Sequence, residues 1–498
     1  MNLNWLIIVP LLTVLALLPF RELRWARSIA LAGSVVQLAL VIWLTALFVQ
    51  QPEAQVPGTF LFETQYAWYE PLGIYHHTGI DGISLSMLLL TALVVVAGVL
   101  VSWQVPKMPR EFFMLLTLLS LGAYGFFISL DAFTMFFFLE LAVVPKFLLI
   151  GIWGSGSKTY SATKLVLMLM GASALLFVGI AGLYFYQAKV GGGFGIIPMM
   201  QQGMDATLQL FFFPFVFVGF GVFTALFPFH TWVPDGHSSA PTAASMFLAG
   251  ISMKLGGYGI IRLGVLAMPY AAQYYAPLIV VLAAIAILYG SLATMMQTDL
   301  KYMNAYSSVS HTGFVLLGIG LLTQAALTGA VLQMVSHGLM TALFFAVIGM
   351  VYQRTHTRQV GQMGGLLKVM PFISTVFVLV GLTSLGLPGL SGFVAEMLVF
   401  MGGWQNGGTL QKIATVAAAA SIVVTAVYIL RAIGKVLMGP VAEKAAFSIT
   451  PAAWYEKLAA CLLLAGILAM GLWPRLMQKM VTPGVQQLLQ HTQIVQAP

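Results

Sequence analysis

The sequence predicts an all-α polytopic membrane protein that crosses the bilayer about fourteen times. Of 498 residues, 60% are hydrophobic and 7% are charged, against about 25% charged in soluble domains. The apolar residues gather into runs of roughly 18–25 residues, each long enough for a hydrocarbon core about 30 Å thick. No long stretch has ordinary globular composition, so residues 1–498 read as a single transmembrane domain without a soluble one.

The spans fall near 3–20, 28–50, 83–103, 112–129, 132–153, 163–187, 208–229, 241–263, 275–295, 302–323, 327–352, 370–402, 413–437 and 456–474. The N-terminal MNLNWLIIVPLLTVLALLPF has no basic region before its apolar run and no clear cleavage site, so it reads as span one and not as a signal peptide. The connection 51–82 is the longest and carries acidic and aromatic residues but no Lys or Arg. A second connection, Val190 to Asp205, contains GGGFG. No strand precedes it, so it is a flexible loop and not a nucleotide cradle.

Two spans carry helix breakers. Span seven ends in PFHTWVPDGH with Pro228 and Pro234, and span twelve contains Leu385 to Gly392, LGLPGLSG. Interrupted helices at corresponding places in two halves point to a transport site between inverted repeats. Their spacing of five spans predicts one five-helix unit at spans four to eight (111–263) and an inverted copy at nine to thirteen (273–437). Residues 1–110 would hold the N-terminal helices, and 438–498 the last helix and tail. Two ordinary proline kinks are the plainer alternative.

Net charge is +8, but of the 22 basic residues two, Lys146 and Lys254, fall inside spans and the other twenty are scattered over short loops, a pattern of membrane topology and not of nucleic-acid binding. Fifteen, from Arg21 to Lys457 and including Lys444, follow odd-numbered spans; five (Lys189, Arg262, Lys412, Arg475, Lys479) lie on the other side. That asymmetry places the odd loops in the cytoplasm and both termini on the non-cytoplasmic face, as expected in a bacterial inner membrane. The single cysteine, Cys461, excludes internal disulfides, Cys-ligated zinc and iron–sulfur clusters.

Glu140, Lys254 and Glu396 sit inside apolar runs, in FTMFFFLELAVVPKFLLIGIW, PTAASMFLAGISMKLGGYGII and LGLPGLSGFVAEMLVFMGGW. A charge at the bilayer centre costs about 2.5–3.5 kcal/mol on insertion scales, so such residues mark proton or ion pathways by default. A structural ion pair between helices is the alternative. Burial makes lysine easier to deprotonate and glutamate easier to protonate, and both can then exchange protons near neutral pH. Histidine already does so.

Four motifs carry a family resemblance: HTWVPDGHSSAPTAASMFLAGISMKLGGYGIIR (His230 to Arg262), DLKYMNAYSSVSHTGF (Asp299 to Phe314), QMVSHGLMTALFF (Gln333 to Phe345) and GLPGLSGFVAEM (Gly386 to Met397). The chain resembles the antiporter-like membrane subunits of respiratory complex I, and subunit M most. Glu396 fits M, where the related subunits typically have lysine, and the chain lacks the long lateral helix of subunit L. The resemblance implies a row of proton-relay residues: Glu140 of span five, the central Lys254 of span eight, His311 and His337 on spans ten and eleven, and the terminal acid Glu396. His230 and His237, near the surface beside Asp235, read as structural, and no metal set surrounds them.

One departure stands out. The family carries a lysine in span seven, paired with the span-five glutamate, and alignment on PFHTWVPD puts Phe223 there. Span five instead has an extra lysine, Lys146, after Pro145. Lys146 and Phe223 are both fifteen residues from the starts of their parallel spans, at 131 and 208, so they share a depth. Either the lysine has moved to the neighbouring helix and joins the relay, or Lys146 snorkels to the cytoplasmic face. On an ideal helix Glu140 and Lys146 point about 120° apart.

The resulting expectation is a proton-translocating membrane-arm subunit of an NADH-quinone oxidoreductase. It would carry no cofactor or redox active site of its own, and no metal. Its partners would be antiporter-like neighbours on both sides and lipids, with the peripheral redox arm contacted indirectly and no nucleic acid. The alternatives are a subunit of a multi-chain sodium/proton antiporter or of a related hydrogenase or carbon-dioxide-uptake complex, and a non-pumping scaffold.

Overall fold

In the computed structural model, residues 1–189, 192–405, 407–441 and 450–494 are described. Val190, Gly191 and Lys444, which entered the loop and charge readings above, lie outside them. Every expected span coincides with helix. Eleven helices among the described residues are long and apolar enough to cross a membrane. The remaining three spans are the short helix Trp5–Leu17, the more polar Leu300–Gly320, and span twelve, which is split.

Aspartates set several of the starts. Asp81, Asp131, Asp205 and Asp299 each precede a span and accept a hydrogen bond from one of its first backbone N–H groups. Four of the five aspartates are therefore helix caps, which satisfy donors that have no partner inside the helix.

The breaks are where the chemistry gathers. Span seven ends as Ala206–Thr224 with Ala225 left-handed, and resumes as the short helix Trp232–Ser239. Span twelve divides into Pro371–Ser384 and Ser391–Gln405. Gly386 and Gly389 between them have φ of +71° and +90°, a conformation that glycine alone adopts without strain. Two further interruptions lie in spans five and eight, beside Pro145 and Gly250. Span five is divided at Ala142 into Ala132–Leu141 and Val143–Trp153. Span eight, Thr242–Leu266, contains π-helical turns at Leu248–Ser252 and Ile260–Leu266.

Three elements were not foreseen, the first being a short helix, Ile196–Gln202, in the second connection, where the sequence predicts a flexible loop. The connection 51–82 folds into an antiparallel hairpin of β1 (Leu61–Tyr69) and β2 (Ile74–Ile80), turning at Gly73 with φ +61°. Its Thr and aromatic residues favour a pleated ribbon. The tail forms a final helix, Pro474–Ile494, that buries Met480, Val481, Val485 and Leu488. Its apolar residues recur at helical spacing, but the segment is too polar to read as a span.

Spans eight and eleven run through the core of the molecule, each with its most apolar 18-residue stretch wholly buried. Arg262 is a correction to the charge reading. It is 1% exposed inside span eight and is not a loop cation.

Candidate functional site

Span eight positions Lys254 at the start of the α-helical stretch Met253–Gly259, just after the first π turn. A π turn leaves a carbonyl without its usual intrahelical partner, and Lys254 Nζ donates to one, Ala249 O, at 2.6 Å. The same Nζ lies 2.8 Å from His337 Nδ1 on span eleven. The His337 ring stacks on His311 of span ten, with centroids 5.5 Å apart. His311 Nδ1 lies 3.4 Å from Glu396 Oε1 in the second half of span twelve. Lys254, His337, His311 and Glu396 thus form one line across four spans, and each is at most 4% exposed.

The surrounding polar groups fix that line. His311 Nε2 meets Ser384 Oγ at 3.0 Å, the last residue before the span-twelve break. Gln333 Nε2 reaches His311 Nδ1 at 3.4 Å. A Cβ on Gly386 would lie 2.7 Å from Glu396 Oε2. Glycine therefore serves twice there, permitting the positive φ and leaving room for the carboxyl group. His337 Nε2 is buried without a partner among the described residues, and a polar atom in that position is normally satisfied by water. Imidazoles, an amine and a carboxyl group in sequence, with water between, can pass protons along the membrane plane by successive donation and acceptance.

Glu140 is half-buried at the end of the first half of span five and accepts a hydrogen bond from Ser173 on span six. Lys146, in the second half, is 1% exposed and its ammonium lies 5.7 Å from the centre of the Phe223 ring. It is buried among the helices and does not reach out of the protein surface. Its Nζ has no hydrogen-bond partner among the described residues. The interruption at Ala142 removes the ideal-helix geometry that separated Lys146 from Glu140.

His230 and His237 are buried at the span-seven break. His230 stacks on Phe227, and His237 stacks on Phe345. Asp235 pairs with Lys164 at 2.7 Å. No group of three or more His, Cys, Asp or Glu among the described residues could hold a metal.

Sequence reasoning missed a second buried ionic cluster. Arg262 Nη2 donates to Asp81 Oδ1 at 2.5 Å and to Ser84 Oγ at 3.1 Å, and Ser84 Oγ lies 2.8 Å from Tyr258 Oη. Lys254, Tyr258 and Arg262 follow one another at intervals of four residues along the chain. That repeat was the available signal, but Arg262 was assigned to the loop beyond the span.

Residues 129–422 match the family described as NADH:quinone oxidoreductase/Mrp antiporter, TM. The chain is 37% identical over 484 residues to the NAD(P)H-quinone oxidoreductase chain 4 1 of Synechococcus sp. (strain JA-2-3B'a(2-13)), covering 95% of this chain and 90% of that one. It is 34% identical over 496 residues to the NAD(P)H-quinone oxidoreductase chain 4 of Gloeobacter violaceus, covering 98% and 92%. In fold it is similar to a chain of respiratory complex I from Thermus thermophilus, with a TM-score of 0.88, 23% identity and coverage of 99% and 100%. It is similarly close to a chain of the Mrp complex from Dietzia sp., with a TM-score of 0.85, 22% identity and coverage of 99% and 98%.

Proposed function

Because the chain belongs to the NADH:quinone oxidoreductase/Mrp antiporter transmembrane family, we propose that it is the proton-translocating membrane-arm subunit M of a complex I-type NAD(P)H-quinone oxidoreductase. The observation that carries this reading is the buried line Lys254, His337, His311, Glu396, in which each residue touches the next. Protons move along it while redox chemistry proceeds on other subunits. Glu140 stands at the other end of the row, and Lys146 supplies the cation that the family otherwise carries on span seven. Its burial over Phe223, the position where that lysine is missing, supports the substitution.

The interruptions of spans seven and twelve support reading spans four to eight and nine to thirteen as two related five-helix units. The basic residues support cytoplasmic odd loops, with both termini, the hairpin and the final helix on the opposite face. The partners in this reading are antiporter-like neighbours in the membrane arm and lipids. The redox cofactors belong to the peripheral arm.

Gentle detergent extraction followed by identification of the co-purifying chains tests the assignment. Flavin and iron–sulfur subunits are expected. Recovery with antiporter-type chains alone would overturn it in favour of a sodium/proton antiporter.

A further inference from the structure

The Arg262–Asp81 pair is an unusual object to bury beside a lysine site. Both side chains are at most 5% exposed, and removing two charges from water is costly unless their remaining polar atoms are also satisfied. Here they are not satisfied by protein. Asp81 Oδ2 and Arg262 Nε and Nη1 are buried without a partner among the described residues. The faces of the guanidinium are covered by the rings of Tyr258 and Phe60, at 4.9 and 5.4 Å, but its in-plane N–H groups still need acceptors. Groups like these are satisfied by ordered water.

The cluster also has a direction. Tyr258 is one turn from Lys254 on the same face of span eight, and Arg262 lies over the Tyr258 ring, at the π-helical end of the span. Asp81 caps span three at the end of the hairpin. Its free oxygen faces the final helix, where a Cβ on Gly484 would lie 2.8 Å from Asp81 Oδ2. The row runs from the lysine site to the face that carries the hairpin and the final helix.

We propose that Tyr258, Ser84 and Asp81, with Arg262 as positioning residue, form the route by which protons leave the Lys254 site for that face. This rests on the proton-translocating reading above. At rest the Tyr258 hydroxyl donates to Phe127 O at 3.1 Å. When a proton reaches Tyr258 Oη through water, the hydroxyl turns from that carbonyl and the Tyr258 proton passes to Ser84 Oγ, 2.8 Å away. Ser84 passes its own proton, through water, to the free oxygen of Asp81. Asp81 releases it to water under the final helix, so one proton enters and one leaves, and both hydroxyl groups are restored. Arg262 holds Asp81 Oδ1 and thereby leaves Oδ2 as the accepting atom.

Asp81→Asn keeps the helix cap but cannot carry a proton and leaves Arg262 without its counter-charge, whereas Asp81→Glu keeps the charge and the proton but fits the cap poorly. The two Asp81 variants therefore move together under a structural clamp and under a proton route. Tyr258→Phe leaves the ion pair in place, and its proton pumping per assembled complex in membrane vesicles separates the two. Tyr258→Phe and Asp81→Asn are expected to lose about a hundred-fold or more, the low end of what a proton-transfer group supplies, with Asp81→Glu retaining more than Asp81→Asn. Wild-type pumping in Tyr258→Phe, or Asp81→Asn pumping better than Asp81→Glu, would overturn the route. If neither Asp81 variant assembles, Tyr258→Phe alone decides. Lys254→Ala is measured in parallel. If it abolishes pumping while Tyr258→Phe does not, the route is wrong and the proton-translocating reading stands; if it too pumps normally, that reading has failed.

Discussion

Lys146 shows how far single residues could be read. Its presence, the absence of a lysine at Phe223 and their common depth were legible in the sequence. The choice between an inward and an outward ammonium was not, because a lysine stem reaches several ångströms either way. The structure puts it inward, 1% exposed and over the Phe223 ring. If this lysine serves Glu140, Lys146→Met lowers proton pumping strongly in the assembled complex, and adding Phe223→Lys restores part of it. Pumping assays on inverted membrane vesicles check this; full activity of the single variant would remove Lys146 from the relay. Glu140, Lys254, His311, His337 and Glu396 were legible as ionisable groups in apolar motifs. Arg262 and Asp81 were missed because both sit near span ends, where a charge costs little by sequence alone, and only the packing reveals their burial. Ser173, the donor to Glu140, is too ordinary a residue to single out in a membrane helix.

The helix breaks differ in what announces them. Spans seven and twelve carry Pro and Gly, whose backbone preferences force an interruption. The division of span five at Ala142 follows from Pro145, whose ring clashes with the carbonyl of Leu141 four residues before it, and the π turns of span eight contain Gly250 and Gly264. Single breakers of this kind are too common in membrane helices to mark an interruption on their own. Close approach of spans seven and eight has a readable cause in the same motif. Gly256 sits so near span seven that a Cβ would fall 2.4 Å from Phe220 O and 2.7 Å from Thr224 N, both backbone atoms. Gly256→Ala therefore forces the two spans apart, at a cost of about 1–3 kcal/mol. Gly151→Ala is the control, since nothing lies within 4 Å of a Cβ there. Thermal dissociation of the detergent-solubilised complex should move down for Gly256→Ala and stay put for Gly151→Ala; equal behaviour would show that the contact is not limiting.

At the scale of the molecule, charges that do not serve the relay hold the elements in place. Arg354 of span eleven grips Glu456 of span fourteen through two hydrogen bonds of 3.0 and 2.7 Å and also donates to the Thr450 and Pro451 carbonyls. Glu456 in turn accepts from Ala453 N at the start of its own span. Arg358 pairs with the Asp299 cap at 3.2 Å. The fourteen-span plan was legible because an apolar run of membrane length has few alternatives. The hairpin and the final helix were not, since each is short, amphipathic and stabilised by the ends of the spans it covers. The proposed relay is the line from Lys254 to Glu396. Proton translocation per electron, measured in vesicles with the assembled Lys254→Ala complex, addresses that line most directly. The account predicts that the complex assembles and that pumping falls about a hundred-fold or more. An assembled Lys254→Ala complex with the wild-type proton-to-electron ratio would contradict it.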